Sequence, residues 1–251
     1  MLERLKQLQQ LRGSAASADA ADQAFHQRIV EVKRWQQQRL RRSYADLAAD
    51  PRYEAAVAFF LDEIYGTKDS AIRDRDLIRM YPTMKRLLPK FAFDTVDRAL
   101  ELDVLAEEFD QAIARAIGSE PLTESSYLAA FRKVGRREER LHQVTLMRAV
   151  GEGLDLVVKK PMIYSALKML RGPATLAGLG EMQQFLEAGF TAFRKMKGAN
   201  YFLSTIAERE TVLIGRILDD HPMPFAVVAE WEALAKQQSN KQTDRSIKGK
   251  A

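Results

Sequence analysis

The residues with the clearest chemical potential in this chain are few. Glu139 and His142 stand three apart in GluArgLeuHis, a spacing that puts a carboxylate and an imidazole on one helical face. Bundle proteins with two metal ions need that pair twice, plus two further glutamates. The chain has only three histidines, and neither His26 nor His221 follows a glutamate by three residues. A two-motif metal site is therefore absent, and no metal site is expected. A second cluster, Glu208-Arg209-Glu210, lies in ANYFLSTIAERETVLIGRIL, where Phe202, Ile206, Leu213 and Ile217 mark an inner face. Glu210 falls on or beside that stripe, where a charge needs a partner. Arg209 or Arg194 could supply it, and a structural ion pair is preferred to a catalytic carboxylate. A third group is Asp62, Glu63 and Tyr65 in FFLDEIYG at 59–66. Phe59, Phe60 and Ile64 with Ala56 form an apolar face, so this stretch reads as the end of a core helix closed by Gly66. Tyr65, His142, Arg209 and Glu210 are the candidate polar groups of any interhelical pocket.

Other chemistries find no support. GEGL at 151–154 and GPATLAGLG at 172–180 follow no strand and match no phosphate-binding loop. Gly151 and Gly153 are read instead as places where a neighbouring helix comes close. There is no GxSxG, and cysteine is absent, which removes thiolate nucleophiles, disulfides and iron–sulfur ligation. Paired acids such as Glu107/Glu108 and Glu138/Glu139 read as solvated helix faces. No cofactor is implied, and the balance leans away from an enzyme.

The elements that must position these groups are helices throughout. Leu2, Leu5, Leu8 and Leu11 make a short amphipathic stripe. A long helix is expected from about Ala18 to Ala48, then one from Pro51 to Tyr65, one around Pro82, and one from Asp94 to Ile117 stopped by Gly118. Thr123 with Ser126 opens a helix that Gly135 ends. The helix from Arg136 to Lys160 turns apolar almost all round, which marks it as central. A short helix MIYSALKML leads to a loop RGPATLAGLG, followed by helices at Glu181–Met196, Ala199–Asp219 and Phe225 to about Gln237. No strand is predicted. The expected architecture is all-α, a compact multi-helix bundle of nine or ten helices in one domain over 18–237, with two lobes meeting near 159–161 as a variant. Residues 1–17 form an amphipathic segment and linker, and 238–251 a disordered basic tail.

Net charge is +5, but from Lys236 onward the chain has five basic residues and one acidic one. The tail thus holds four of the five net positive charges, leaving the body nearly neutral, so nucleic-acid contact is expected only weakly and through the tail. No apolar run is long enough to span a membrane, and MLERLKQLQQLRG lacks the apolar core of a secretory signal. A cytoplasmic location is expected.

FFLDEIYG, then TKDSAIRDRDLIRMYPTMKRLLP and ALELDVLAEEFDQAIA, resemble a family of uncharacterised bacterial proteins that share an FFxxxxYG element, an Arg-Asp-rich helix ending like MxRLLP, and an LELxxL helix. The stretch RGPATLAGLGEMQQFLEAGFTAFRKMKGANYFLSTIAERE is similar to that family's second half. The likeness spans about residues 20–220. It implies an all-helical cytoplasmic bacterial protein and no particular reaction. Lysine before the arginine in Met84-Lys85-Arg86 is a small departure, and the leucine stripe and basic tail lie outside the likeness. A non-enzymatic module that binds a protein partner or its own copy is the preferred function, motivated by amphipathic faces at 2–11 and Phe225–Gln237 that read as spare. A small-molecule pocket and weak nucleic-acid binding through the tail are the alternatives.

Overall fold

The computed structural model describes residues 1–13, 20–64, 71–169 and 171–233. Among these there is no strand. The helices are α1 (Leu2–Arg12), α2 (Ala20–Ser43), α3 (Ala45–Ala49), α4 (Glu54–Phe59), α5 (Ala71–Leu87), α6 (Lys90–Ile117), α7 (Glu124–Val134), α8 (Arg137–Val158), α9 (Pro161–Met169), α10 (Arg171–Leu176), α11 (Gly180–Met196) and α12 (Asn200–Leu218). A π-helical turn, Phe60–Ile64, continues α4, and residues 226–233 are helical. Tyr65, Gly66 and the tail from 234 onward lie outside the described residues.

Several boundaries follow from local chemistry read in the sequence. Thr123 and Ser126 cap α7 reciprocally, each side chain accepting from the other's backbone N–H. Gly118 and Gly135 end α6 and α7 with φ of +62° at both, a conformation that a Cβ disfavours. The helix expected from Pro51 begins only at Glu54, after a turn at 51–53, and the described residues hold more helices than the nine or ten expected because the chain breaks several of the long ones. Two further expectations need correction. The long second helix breaks at Tyr44 (φ −124°, ψ 22°), because the chain there turns its Ser43 carbonyl and Tyr44 hydroxyl towards α12. The stretch expected as a loop at 171–180 begins instead with α10, where Pro173 sits in the first turn and costs no intrahelical hydrogen bond.

The core is built around α6, α8 and α12. One apolar cluster joins Leu40, Tyr44 and Tyr53 to Phe59, Phe193, Met196 and Phe202. Another joins Ile29 and Val32 of α2 to Ile113, Ile117, Tyr127, Phe131, Ile214 and Ile217. The first part of FFLDEIYG is core: Phe59 and Leu61 are buried, Phe60 packs on Phe193 and Phe202, and Gln37 donates to the Leu61 carbonyl at 2.6 Å, but Ile64, expected on the same apolar face, is exposed where the helix turns π-helical. The glycines of α8 are the close-approach points expected of them. A Cβ on Gly151 would overlap the buried Leu203, and one on Gly153 would overlap Thr95. The leucine stripe of α1 is not spare: Leu5 and Leu8 are fully buried against Leu100 and Val104 of α6.

Candidate functional site

Arg209 and Glu210 are adjacent on α12, so their side chains diverge by about 100° around the helix. That divergence decides their partners. Glu210 faces α2 and takes a two-pronged grip from Arg39, at 2.5 and 2.9 Å, while the Tyr44 hydroxyl donates to the same carboxylate at 2.6 Å. Arg209 turns to α3, donating to both Asp46 oxygens (2.7 and 2.6 Å) and to the Ser43 carbonyl at 2.8 Å, with the Trp231 ring 5.0 Å from its guanidinium. Glu210 is therefore paired as its place on the stripe requires, but by Arg39 rather than by Arg209 or Arg194. Arg194 stands over the Tyr164 ring, 4.6 Å from its centroid. Burial works against the Arg39 charge, yet Glu210 outweighs it and keeps the guanidinium above its ordinary pKa.

His142 is not in this group. Its side chain on α8 is half exposed and meets Glu101 of α6 at 2.9 Å, whose other oxygen holds Arg4 at 2.6 Å. Glu139, the other half of its GluArgLeuHis motif, is taken by Arg136. The structure thus sends Arg209 and Glu210 to separate partners on neighbouring segments and leaves His142 apart; Tyr65 lies outside the described residues.

The largest polar cluster was missed in the sequence. Arg12 at the end of α1 reaches Asp74 of α5 and Asp103 of α6 at 2.6 Å each, and Glu107 at 3.2 Å. Lys33 of α2 adds a contact to Glu107 at 2.7 Å. Glu107 is buried, only 4% exposed, so the Glu107/Glu108 pair is not a solvated face as expected. Burial pushes the Glu107 carboxyl up, but Lys33 and Arg12 pull harder and hold it below the usual carboxylate range. One turn on, Asp110 lies 4.0 Å from Lys33, and burial pushes it up to about 7, with the negative Glu107 adding to the effect and Lys33 opposing it. Arg140 of α8 is buried between the rings of Phe109 and Phe131, 4.2 and 3.5 Å from their centroids. Its Nε donates to the Gly135 carbonyl at 2.8 Å, and its pKa is pushed down by burial to about 10.

A signal for this cluster did exist. Val104, Glu107 and Gln111 recur at three and four residues, which places two polar groups on the buried face of α6. Chemically the arrangement is a set of fasteners. Three carboxylates surround Arg12, whose guanidinium fills the place a cation would take, and no group of three metal-ligating side chains capable of holding a metal occurs among the described residues.

The opposite condition holds at α9 and α10. These helices pack on each other and on α11, yet no described side chain in either is buried. Met162 is 85% exposed, Met169 79% and Leu176 92%, with Leu156 at the end of α8 also exposed. Met162 and Met169 are two turns apart and share a helix face. Elsewhere, a cleft of about 570 Å³ opens to solvent between α1, α2 and α6, lined by Gln7, Leu11, Asp22, Phe25, Gln111 and Arg115.

This is an all-helical bundle whose internal charges tie helices together. The chain belongs to the family described as a domain of unknown function, DUF8198, whose model matches residues 15–224. No curated protein and no solved structure matches it. No helix among the described residues is long and apolar enough to cross a membrane.

Proposed function

We propose that this protein is a non-enzymatic interaction module that docks through the face formed by α9 and α10. The observation behind this is the outward placement of Met162, Met169 and Leu176 on helices in which no described side chain is buried. Apolar surface gathered in one place marks an interaction site more often than scattered single residues do, and methionine adapts readily to partners. The leucine stripe of α1, which first motivated this function, does not contribute, since its own chain covers it. A photo-crosslinking residue at the exposed Ser165 tests the proposal. Crosslinks at Ser165 in cells, with none from a control at exposed Glu124 on α7, support docking at this face. Equal or absent crosslinking at both positions refutes it.

A second reading, a small-molecule binder, is favoured by the cleft at Phe25. There the Arg115 guanidinium lies 4.9 Å from the ring centroid, so an aromatic surface and a cation stand side by side. Native mass spectrometry of the purified protein checks this: extra mass that is lost on denaturation and lost in Phe25→Ala supports a ligand there. Neither His142, Arg209 nor Glu210 lines the cleft. Weak nucleic-acid contact through the tail concerns residues outside those described, and deletion of 238–251 tests it by removing any salt-sensitive affinity.

A further inference from the structure

Resting on the docking face just proposed, we infer that its occupant is an anionic lipid surface, with α9 and α10 lying in the headgroup layer. The sequence of the face carries the first half of the case. From Leu156 to Gly180 the chain contains Lys159, Lys160, Lys168 and Arg171 and no aspartate or glutamate. Two of these cations are offset by neighbours: Lys159 meets Asp155 at 2.6 Å, and Arg171 pairs with Glu187 of α11. Further positive charge stands beside them. Arg194 of α11 joins Lys168 at the Tyr164 ring, each 4.6 Å from its centroid, and Arg79 of α5 donates to the Ala177 carbonyl. An apolar face rimmed by cations is the composition of helices that lie in the plane of an anionic membrane.

Exposure carries the second half. Met162, Met169 and Leu176 project so far that each keeps at least 79% of its surface in water. A protein partner would need pockets shaped to receive such protrusions, whereas a bilayer surface conforms to them. A second copy of this chain is disfavoured, because a two-fold pairing of this face would set its cations against their own images. The mode is peripheral, in keeping with helices too short and too charged to span.

The test is vesicle co-sedimentation of the full chain. Vesicles with about 30% phosphatidylserine should bind at least about ten-fold more tightly than neutral phosphatidylcholine vesicles, and added salt should weaken the binding. Lys160→Gln and Lys168→Gln should each weaken it by about five-fold. The triple variant Met162→Asp/Met169→Asp/Leu176→Asp should abolish it with the circular dichroism spectrum unchanged, since these side chains support no core. Deletion of 238–251 separates the basic tail from the face: binding that vanishes with the tail and survives the triple variant overturns the inference. Absence of vesicle binding also overturns it. In that case the Ser165 crosslinker decides the fate of the docking face itself. A crosslink to another protein or to a second copy leaves the face standing and removes the lipid, and no crosslink removes both.

Discussion

The interior around Arg12 and Arg39 and the edge formed by α9 and α10 invert the usual distribution of side chains in opposite ways. In the interior, charged groups that water would hold more cheaply are brought inside and consumed by pairing: Arg39 with Glu210, Arg209 with Asp46, and Arg12 with three carboxylates. At the edge, methionine and leucine that a core would hold are turned outward, and none of the described residues covers them. The contrast separates two uses of a misplaced side chain. A buried charge whose partners are all within the chain serves the fold, whereas an exposed apolar group without an internal partner is available to something else.

The largest test of this contrast is Glu210→Ala. It strands the partly buried Arg39 and removes the Tyr44 acceptor, so denaturant unfolding should show a loss of about 3 kcal/mol. Arg39→Ala added to that background should cost far less than it does alone, because the two share one interaction.

Asp110 comes next, with the opposite sign. Its carboxyl is pushed to about 7 in the folded protein and sits near 4 when unfolded. Between those values the unfolded chain releases the proton first, so the contribution of Asp110 to stability is fullest below about pH 4 and declines as pH rises towards 7, opposite in sign to that of Glu107, which is lost on acidification. Asp110→Asn should flatten that decline and raise stability at pH 8 by about 2–4 kcal/mol, measured from urea midpoints across pH. A pH profile identical to that of the unmodified protein would show that Asp110 is charged and paired like its neighbours.

Gly153→Ala should cost about 1–3 kcal/mol, since the new methyl overlaps Thr95, which is stiff, buried and bonded to the Phe91 carbonyl. Smallest of all should be Met162→Asp or Leu176→Asp, within about 0.5 kcal/mol of the parent in thermal unfolding. A large loss there would mean that the edge is held by contacts of the fold and is not free to dock.

Much of the helical order was legible because its signals are local. Gly118, Gly135 and the Thr123–Ser126 box end or begin helices through atoms a few residues apart, and the close-approach glycines of α8 stood out in an otherwise apolar helix. The partners of the buried charges were not legible in the same way. Glu210 announced that it needed a cation, but Arg39 lies 171 residues earlier and nothing local distinguishes it from other arginines. Amphipathic faces carry a similar ambiguity. The stripe of Leu5 and Leu8 promised a surface in need of cover, and pattern alone does not tell cover by the same chain from cover by another. The α9–α10 edge was hidden for a related reason: its apolar residues look like core until tertiary packing leaves them outside.

The grip of Arg12 also sets an order of events. Its three carboxylate partners lie 62, 91 and 95 residues further along the chain, so the seat for α1 does not exist until α5 and α6 have been made and paired. An 11-residue helix is too short to persist alone in water. During synthesis α1 therefore waits without its seat and docks late, although the loop it closes is shorter than the 171 residues that separate Arg39 from Glu210. Until it arrives, Asp74, Asp103 and Glu107 lack the guanidinium they share, and Lys33 alone of the two cations stands by Glu107.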